Sequence, residues 1–129
     1  MDKVAEFLTR IRNAGMAKHE KVDVPASKFR EGIATVLRDS GYIKNFKVVK
    51  DGKQGMMRVY LSYNTDGTHA ITSVRRSSRP GRRYYVPADK IPNVRSGYGM
   101  AIISTSSGVM GSKEAIEKGL GGEVLCTLY

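Results

Sequence analysis

One cysteine and two histidines in 129 residues leave little material for redox or metal chemistry. A single cysteine, Cys126, excludes an internal disulfide and a four-cysteine zinc site, and it fits a reducing compartment. It lies in the apolar segment "EVLCTLY", where a small buried hydrophobe is a simpler reading than a reactive thiol. His19 and His69 have no acidic or cysteine cluster beside them and read as surface residues. No apolar run approaches the roughly 20 residues that a bilayer crossing takes. The opening "MDKVAEFLTRIRNA" is amphipathic and carries acids, so neither a signal peptide nor a transit peptide is expected. Repeats and low-complexity tracts are missing, and acids are scarce, with 12 Asp and Glu against 22 Lys and Arg.

The surplus is positive charge, formally +10. Residues 1–64 hold 13 basic and 7 acidic side chains, and residues 65–129 hold 9 and 5, so both halves are basic. A field of that sign attracts polyanions, nucleic acid or acidic lipid headgroups, without identifying either. Hydrophobic content of 40% and charged content of 26% describe a globular chain. At this length it suits one domain or two small modules, and it buries roughly two-thirds of its unfolded surface without staples.

Val4, Phe7, Leu8 and Ile11 recur at helical spacing, which predicts an amphipathic helix over 3–14 with Gly15 as its stop. "VDVP" reads as a short strand. A second helix is expected from Ser27, its N-cap, with Phe29, Ile33, Val36 and Leu37 on one face and Gly41 as terminator. "NFKVVK" and "MMRVYLSY" read as strands joined through "DGKQG", with Met57, Val59, Leu61 and Tyr63 sharing a face. "NTDGT" at 64–68 is the expected boundary. Beyond it, "HAITSV" reads as a strand, "GMAII" as a buried strand, "SKEAIEKG" as a helix capped by Ser112 and Gly119, and "GGEVLCTLY" as a final strand. The expected class is α+β with two small modules. The first, 1–64, is α-β-α-β-β; the second, 65–129, is mainly β with one short helix.

Four hydroxyls in a row, Ser104, Thr105, Ser106 and Ser107, precede Gly108. They match no Gly-x-Ser-x-Gly elbow, and no histidine is near in sequence to act as base. "GVMGSK" lacks the Gly-Lys-Ser/Thr ending of a phosphate loop, and "GYGMAI" has Ile102 where a dinucleotide motif needs glycine. Residues 75–83, "RRSSRPGRR", carry more information: five arginines without an acid, followed by Tyr84 and Tyr85. Arginine forks onto phosphate, and tyrosine offers a ring to unpaired bases, so Arg79, Arg82 and Arg83 are candidate nucleic-acid contacts. The alternative is a solvated basic hairpin with one tyrosine turned to the core. Beside such a face, the hydroxyl run fits either a reader of base edges and ribose hydroxyls or a turn that bonds its own backbone.

Several segments together resemble a known family: "LTRIRNA", "PASKF", "SRPGRR-Y", "P-V--G-G-AI-STS-GVM" and "GGEV-C". Along nearly its whole length the chain is similar to the bacterial eighth protein of the small ribosomal subunit. The resemblance implies a two-domain α+β protein that is not an enzyme, has no cofactor and sits in the cytoplasm on the ribosome. It implies binding to an irregular helix in the central domain of small-subunit ribosomal RNA, with neighbouring small-subunit proteins as further partners and neither membrane nor small-molecule substrate. It also implies that the C-terminal module makes the main contacts, through Ser104, Thr105, Ser106, Ser107 and Gly108, with Tyr85 and the segment Gly121, Gly122 and Glu123 beside them. Arg12, Asn13, Ser27 and Lys28 are the implied contacts of the N-terminal module.

The chain departs from the family pattern in three places. Lys3 stands where proline is usual before the first helix. "VPAD" follows Tyr85 where basic residues are common. Gly111 and Ser112 replace a usual Thr-Asp pair, which leaves one hydroxyl to cap the following helix.

Overall fold

A computed structural model describes residues 3–50 and 55–129, apart from the Lys3 side chain, so most of the expected "DGKQG" turn lies outside the described residues. The chain is mixed α+β, with three helices and two antiparallel sheets among the described residues. It divides into two units, Lys3–Ile71 and Thr72–Tyr129.

In the first unit, helix α1 (Lys3–Met16) leads to strand β1 (Lys21–Pro25), helix α2 (Lys28–Asp39), β2 (Ile43–Val49) and β3 (Met56–Leu61). The sheet order is β1-β3-β2. Met57, Val59 and Leu61 are buried on one face of β3, as their period-two spacing predicts. Val4, Phe7, Leu8 and Ile11 of α1 are buried, as are Ile33, Val36 and Leu37 of α2. Each such side chain contributes about 1.5–3 kcal/mol of hydrophobic stabilisation. Phe29 is exposed instead, and Arg30 takes a buried place on that face. The offset is one position: 29 lies on the outer flank of the stripe that 30, 33, 34 and 37 form.

Helix termination separates glycines that look alike in sequence. Gly41 ends α2 as expected: it takes φ +82°, while Gly41 N donates to Arg38 O at 3.1 Å and Tyr42 N to Leu37 O at 2.8 Å. Gly15 does not end α1. A Cβ at Gly15 would stand 2.3 Å from Nδ1 of His69, so glycine there makes room for that ring. The chain turns out of α1 at Lys18, φ +62°, with His19 N donating to Ala14 O at 3.0 Å. His69 is correspondingly half-buried rather than a surface residue, and its Nε2 is buried without a partner among the described residues.

The expected boundary at 64–68 falls inside the first unit. Asp66 accepts from the Thr68 backbone N–H at 3.0 Å and from its hydroxyl at 2.7 Å, closing a local turn. The chain then returns to the sheet, where Tyr63 pairs with His69 and Ala70 N donates to Ser62 O at 3.0 Å. These bonds hold 64–71 to the first unit.

The second unit comprises β4 (Val74–Arg76), β5 (Tyr85–Val86), β6 (Met100–Thr105), β7 (Gly108–Gly111), helix α3 (Ser112–Lys118) and β8 (Gly122–Leu128). The order is β4-β8-β6-β7, and β5 also pairs with β8. The strand expected over "HAITSV" begins only at Val74, because residues 69 and 70 bond back to the first unit's sheet. Strand β7, four residues with a glycine at each end, has too little pattern to be visible in sequence. Val86, Ala101, Ile103, Met110, Ala115 and Val124 form a buried cluster. Cys126 is buried too, as its apolar neighbours suggest, and burial pushes its thiol up to about 12. Gly119 ends α3 at φ +66°. Ser112 does not cap this helix; Gly111 occupies that position. The Ser112 hydroxyl instead accepts from Ala101 N at 3.2 Å and ties α3 to β6.

Candidate nucleic-acid interface

The hydroxyl run is split by the hairpin of β6 and β7. Ser104 and Thr105 close β6, in register with Val109 and Gly108, and Ser106 and Ser107 form the exposed turn. Thr105 is the turn former: its hydroxyl donates to Gly108 O at 2.8 Å and accepts from Ser107 N at 3.0 Å. Gly108 takes φ +109°, while a Cβ there would meet nothing within 4 Å, so backbone conformation rather than space selects glycine. The hydroxyls of Ser104, Ser106 and Ser107 make no hydrogen bond among the described residues. The turn reading thus applies to Thr105, whose hydroxyl is used within the hairpin.

Ser104 is one of a row. Tyr85 on β5 lies opposite Glu123 on β8, and Glu123 lies opposite Ser104 on β6. Residues paired across strands project from the same face, so Tyr85, Glu123 and Ser104 share one. Their neighbours Val86, Val124 and Ile103 project from the other and join the core cluster. Tyr85 is 66% exposed and Tyr84 is exposed as well, so neither tyrosine turns to the core.

The two glycines before Glu123 are selected by space. A Cβ on Gly121 would lie 2.5 Å from the Val86 carbonyl oxygen, and one on Gly122 would lie 2.2 Å from that of Ser104. They let β8 enter between β5 and β6 with no side chain in the way, and so bring Tyr85 and Ser104 to either side of Glu123.

The arginine turn rises from the edge of β8, between β4 and β5. Ser77 N donates to Leu125 O at 3.2 Å, and Val124 N to Tyr84 O at 2.9 Å. Arg79 and Arg82 exchange backbone bonds of 3.0 Å across Pro80 and Gly81, and both side chains are exposed. The turn has an internal tether that sequence reading missed. Ser78 is fully buried; its hydroxyl donates to the Glu123 carboxylate and accepts from Tyr84 N at 3.2 Å. Arg83 donates to the same carboxylate oxygen at 3.1 Å. Glu123 is thus occupied within the protein, and Arg83 is half-engaged by it, while Arg79 and Arg82 point outward.

In the first unit, Arg12, Asn13 and Lys28 are exposed. The Ser27 hydroxyl accepts from Arg30 N at 3.1 Å and caps α2. No hydrogen bond or ion pair joins Arg12 or Asn13 to Ser27 or Lys28 among the described residues. Sequence reading also missed an open cleft of about 1030 Å³ whose lining includes Lys18, Lys44, Tyr60 and Tyr63. Its residues come from three separate segments, and no local pattern announces it.

The model of the family described as "Ribosomal protein S8" matches residues 2–129. The chain belongs to that family. The "Small ribosomal subunit protein uS8" of Bdellovibrio bacteriovorus is 64% identical over 129 residues, covering 100% of both chains. Proteins with the same name from Citrifermentans bemidjiense and Geotalea daltonii are 56% and 52% identical over 128 residues, covering 99% of this chain and 97% of theirs. The family is one of ribosomal proteins rather than enzymes, which agrees with the lack of a nucleophile elbow or phosphate loop in the sequence. No helix among the described residues is long and apolar enough to cross a membrane.

Proposed function

We propose that this chain is a structural constituent of the small ribosomal subunit, in the cytoplasm. It binds an irregular helix in the central domain of small-subunit ribosomal RNA and supports assembly of the subunit. The Thr72–Tyr129 unit carries the principal surface, with neighbouring small-subunit proteins as further partners. The observation that carries this reading is the face opposite the core cluster. There the row Tyr85–Glu123–Ser104 joins the exposed Ser106–Ser107 turn on one side and the arginine turn on the other.

Each part has a chemical role. Arg79 and Arg82 supply phosphate attraction, which positions the protein without reading sequence. Ser104, Ser106 and Ser107 both donate and accept, and they are short enough to meet ribose hydroxyls and base edges in the wide minor groove of RNA. Thr105 and Gly108 hold the turn in shape, and Gly121 and Gly122 let the strands close beneath it. Tyr85 offers an open ring for an unpaired base. Glu123, satisfied by Ser78 and Arg83, orders the face rather than presenting a free negative charge to RNA. Arg12, Asn13, Ser27 and Lys28 make secondary contacts from the first unit; the Ser27 carbonyl is taken by Glu31 N at 2.9 Å, and its hydroxyl, which accepts from Arg30 N, keeps its proton to donate.

The test is a titration of the chain with the irregular central-domain RNA helix beside a perfectly paired RNA and a DNA duplex, at several salt concentrations. The reading expects clear preference for the irregular helix at every salt concentration. Equal affinity for all three would mean phosphate attraction alone and would end it.

A further inference from the structure

The segment that enters β6 is strained in a way the hydroxyl hairpin does not explain. Arg95 (φ +51°), Ser96 (φ +53°) and Gly97 (φ +96°) are three successive residues in the left-handed region, and two of them carry side chains. Consecutive non-glycine residues there are held only when their surroundings fix them. The surroundings do so. The Arg95 guanidinium carbon sits 4.1 Å from the centroid of the Tyr129 ring. Gly99 N donates to Val94 O at 3.1 Å, and a Cβ on Gly99 would lie 2.5 Å from the Leu128 carbonyl oxygen. Ile91 packs against the core cluster. The product of this pinned turn is Tyr98, 89% exposed and the most open large hydrophobic side chain among the described residues.

We propose that Tyr98 is a stacking platform for an unpaired base of RNA, a second contact separate from the hydroxyl hairpin. The inference rests on the RNA-binding reading above and extends it. The backbone beneath the ring has lost its freedom before binding, so stacking on it has only the two side-chain torsions of Tyr98 left to order. The electrostatics select the partner. Between Asp89 and Glu114 the sequence has no acidic residue, whereas Lys90, Arg95 and Lys113 fall in that interval. A polyanion is favoured over a basic protein tail at such a site, and aromatic rings on basic surfaces are what single-stranded bases stack upon. Tyr98 stands before β6 and the hydroxyls close it. The six residues of the strand span about 16 Å, so one base cannot reach both.

The chain has no tryptophan, so Tyr98→Trp places a unique fluorophore at the turn. Titrated with protein-free small-subunit ribosomal RNA, Tyr98→Trp should show saturable quenching. Tyr98→Ala should bind that RNA at least about fivefold more weakly, with Tyr98→Phe close to the parent chain. Full RNA affinity of Tyr98→Ala, or binding without quenching, overturns the stacking site and leaves the hairpin reading standing. Quenching that appears only after other small-subunit proteins are added also overturns it and assigns Tyr98 to a protein contact. If the unmodified chain shows no preference for this RNA over DNA, the parent reading fails and this one with it.

Discussion

Gly122 and Ser104 meet backbone to backbone: a Cβ on Gly122 would stand 2.2 Å from the Ser104 carbonyl oxygen and 3.2 Å from the Thr105 Cα. The obstruction is main chain, which cannot rotate aside. Gly122→Ala must therefore push β8 off the end of β6, at about 1–3 kcal/mol for overpacking. The midpoint of urea unfolding should fall accordingly, and RNA affinity should fall with it, because the displaced strand carries Glu123. An unchanged midpoint would show that the strands separate freely there. Gly108→Ala is the contrasting variant, since it has space for a methyl group but an unfavourable φ.

Ser78 and Glu123 lie 45 positions apart and share one hydrogen bond. Ser78→Ala removes it and leaves the Tyr84 N–H without its acceptor. That N–H is part-buried, and losing its hydrogen bond costs about 0.5–1.5 kcal/mol. The arginine turn should loosen, read as faster amide exchange at Arg79, Arg82 and Tyr84 while the first unit is unaffected. Unchanged exchange at those three amides would refute the tether.

Much of the fold was legible because periodicity and termination are local. Helical spacing of Val4, Phe7, Leu8 and Ile11, alternation in β3, and the stops at Gly41 and Gly119 all depend on residues close in sequence. What escaped depends on distant partners. Gly15 is set by His69, Ser112 by the Ala101 backbone, and the unit boundary by bonds from 69 and 70 back to the sheet. The site divides the same way. Five arginines around Pro80 and Gly81 stand out in composition, whereas the buried Ser78 beneath them looks like any turn serine. The hydroxyl run was visible, but the separation of Thr105 from Ser106 requires the register of the hairpin.

Burial of His69 lowers its pKa below the ordinary value of 6.5, with the Ile71 backbone opposing the shift. The sign follows from linkage. Above about 6.5 the ring is neutral in both folded and unfolded chains, and its contribution is complete. As pH falls through that value the unfolded chain takes up a proton that the folded chain resists, so stability declines. It stops declining once pH has passed the folded pKa. His69→Asn should flatten the dependence of unfolding free energy between pH 7.5 and 5.5. An identical slope in the parent and the variant would remove His69 as its source.

Thr105 and Ser106 are neighbours with different work, and substitution should part them. The Thr105 hydroxyl has both its bonds inside the turn, so Thr105→Ala should lower unfolding stability by about 0.5–1.5 kcal/mol and weaken RNA binding through the distorted tip. The Ser106 hydroxyl has no protein partner among the described residues, so Ser106→Ala should leave unfolding unchanged and cost about 0.5–1.5 kcal/mol of binding to the irregular RNA helix. The logarithmic salt slope should stay as it was for Ser106→Ala, a neutral change, and should shrink by about 0.7–0.9 for Arg79→Ala, which removes one phosphate contact. Thermal unfolding and salt-dependent RNA titrations on the three variants measure all of this. Equal loss by Ser106→Ala on the irregular helix and on a fully paired RNA would show that this hydroxyl adds affinity without discrimination, and the reading edge would then shrink to Ser104 and Ser107.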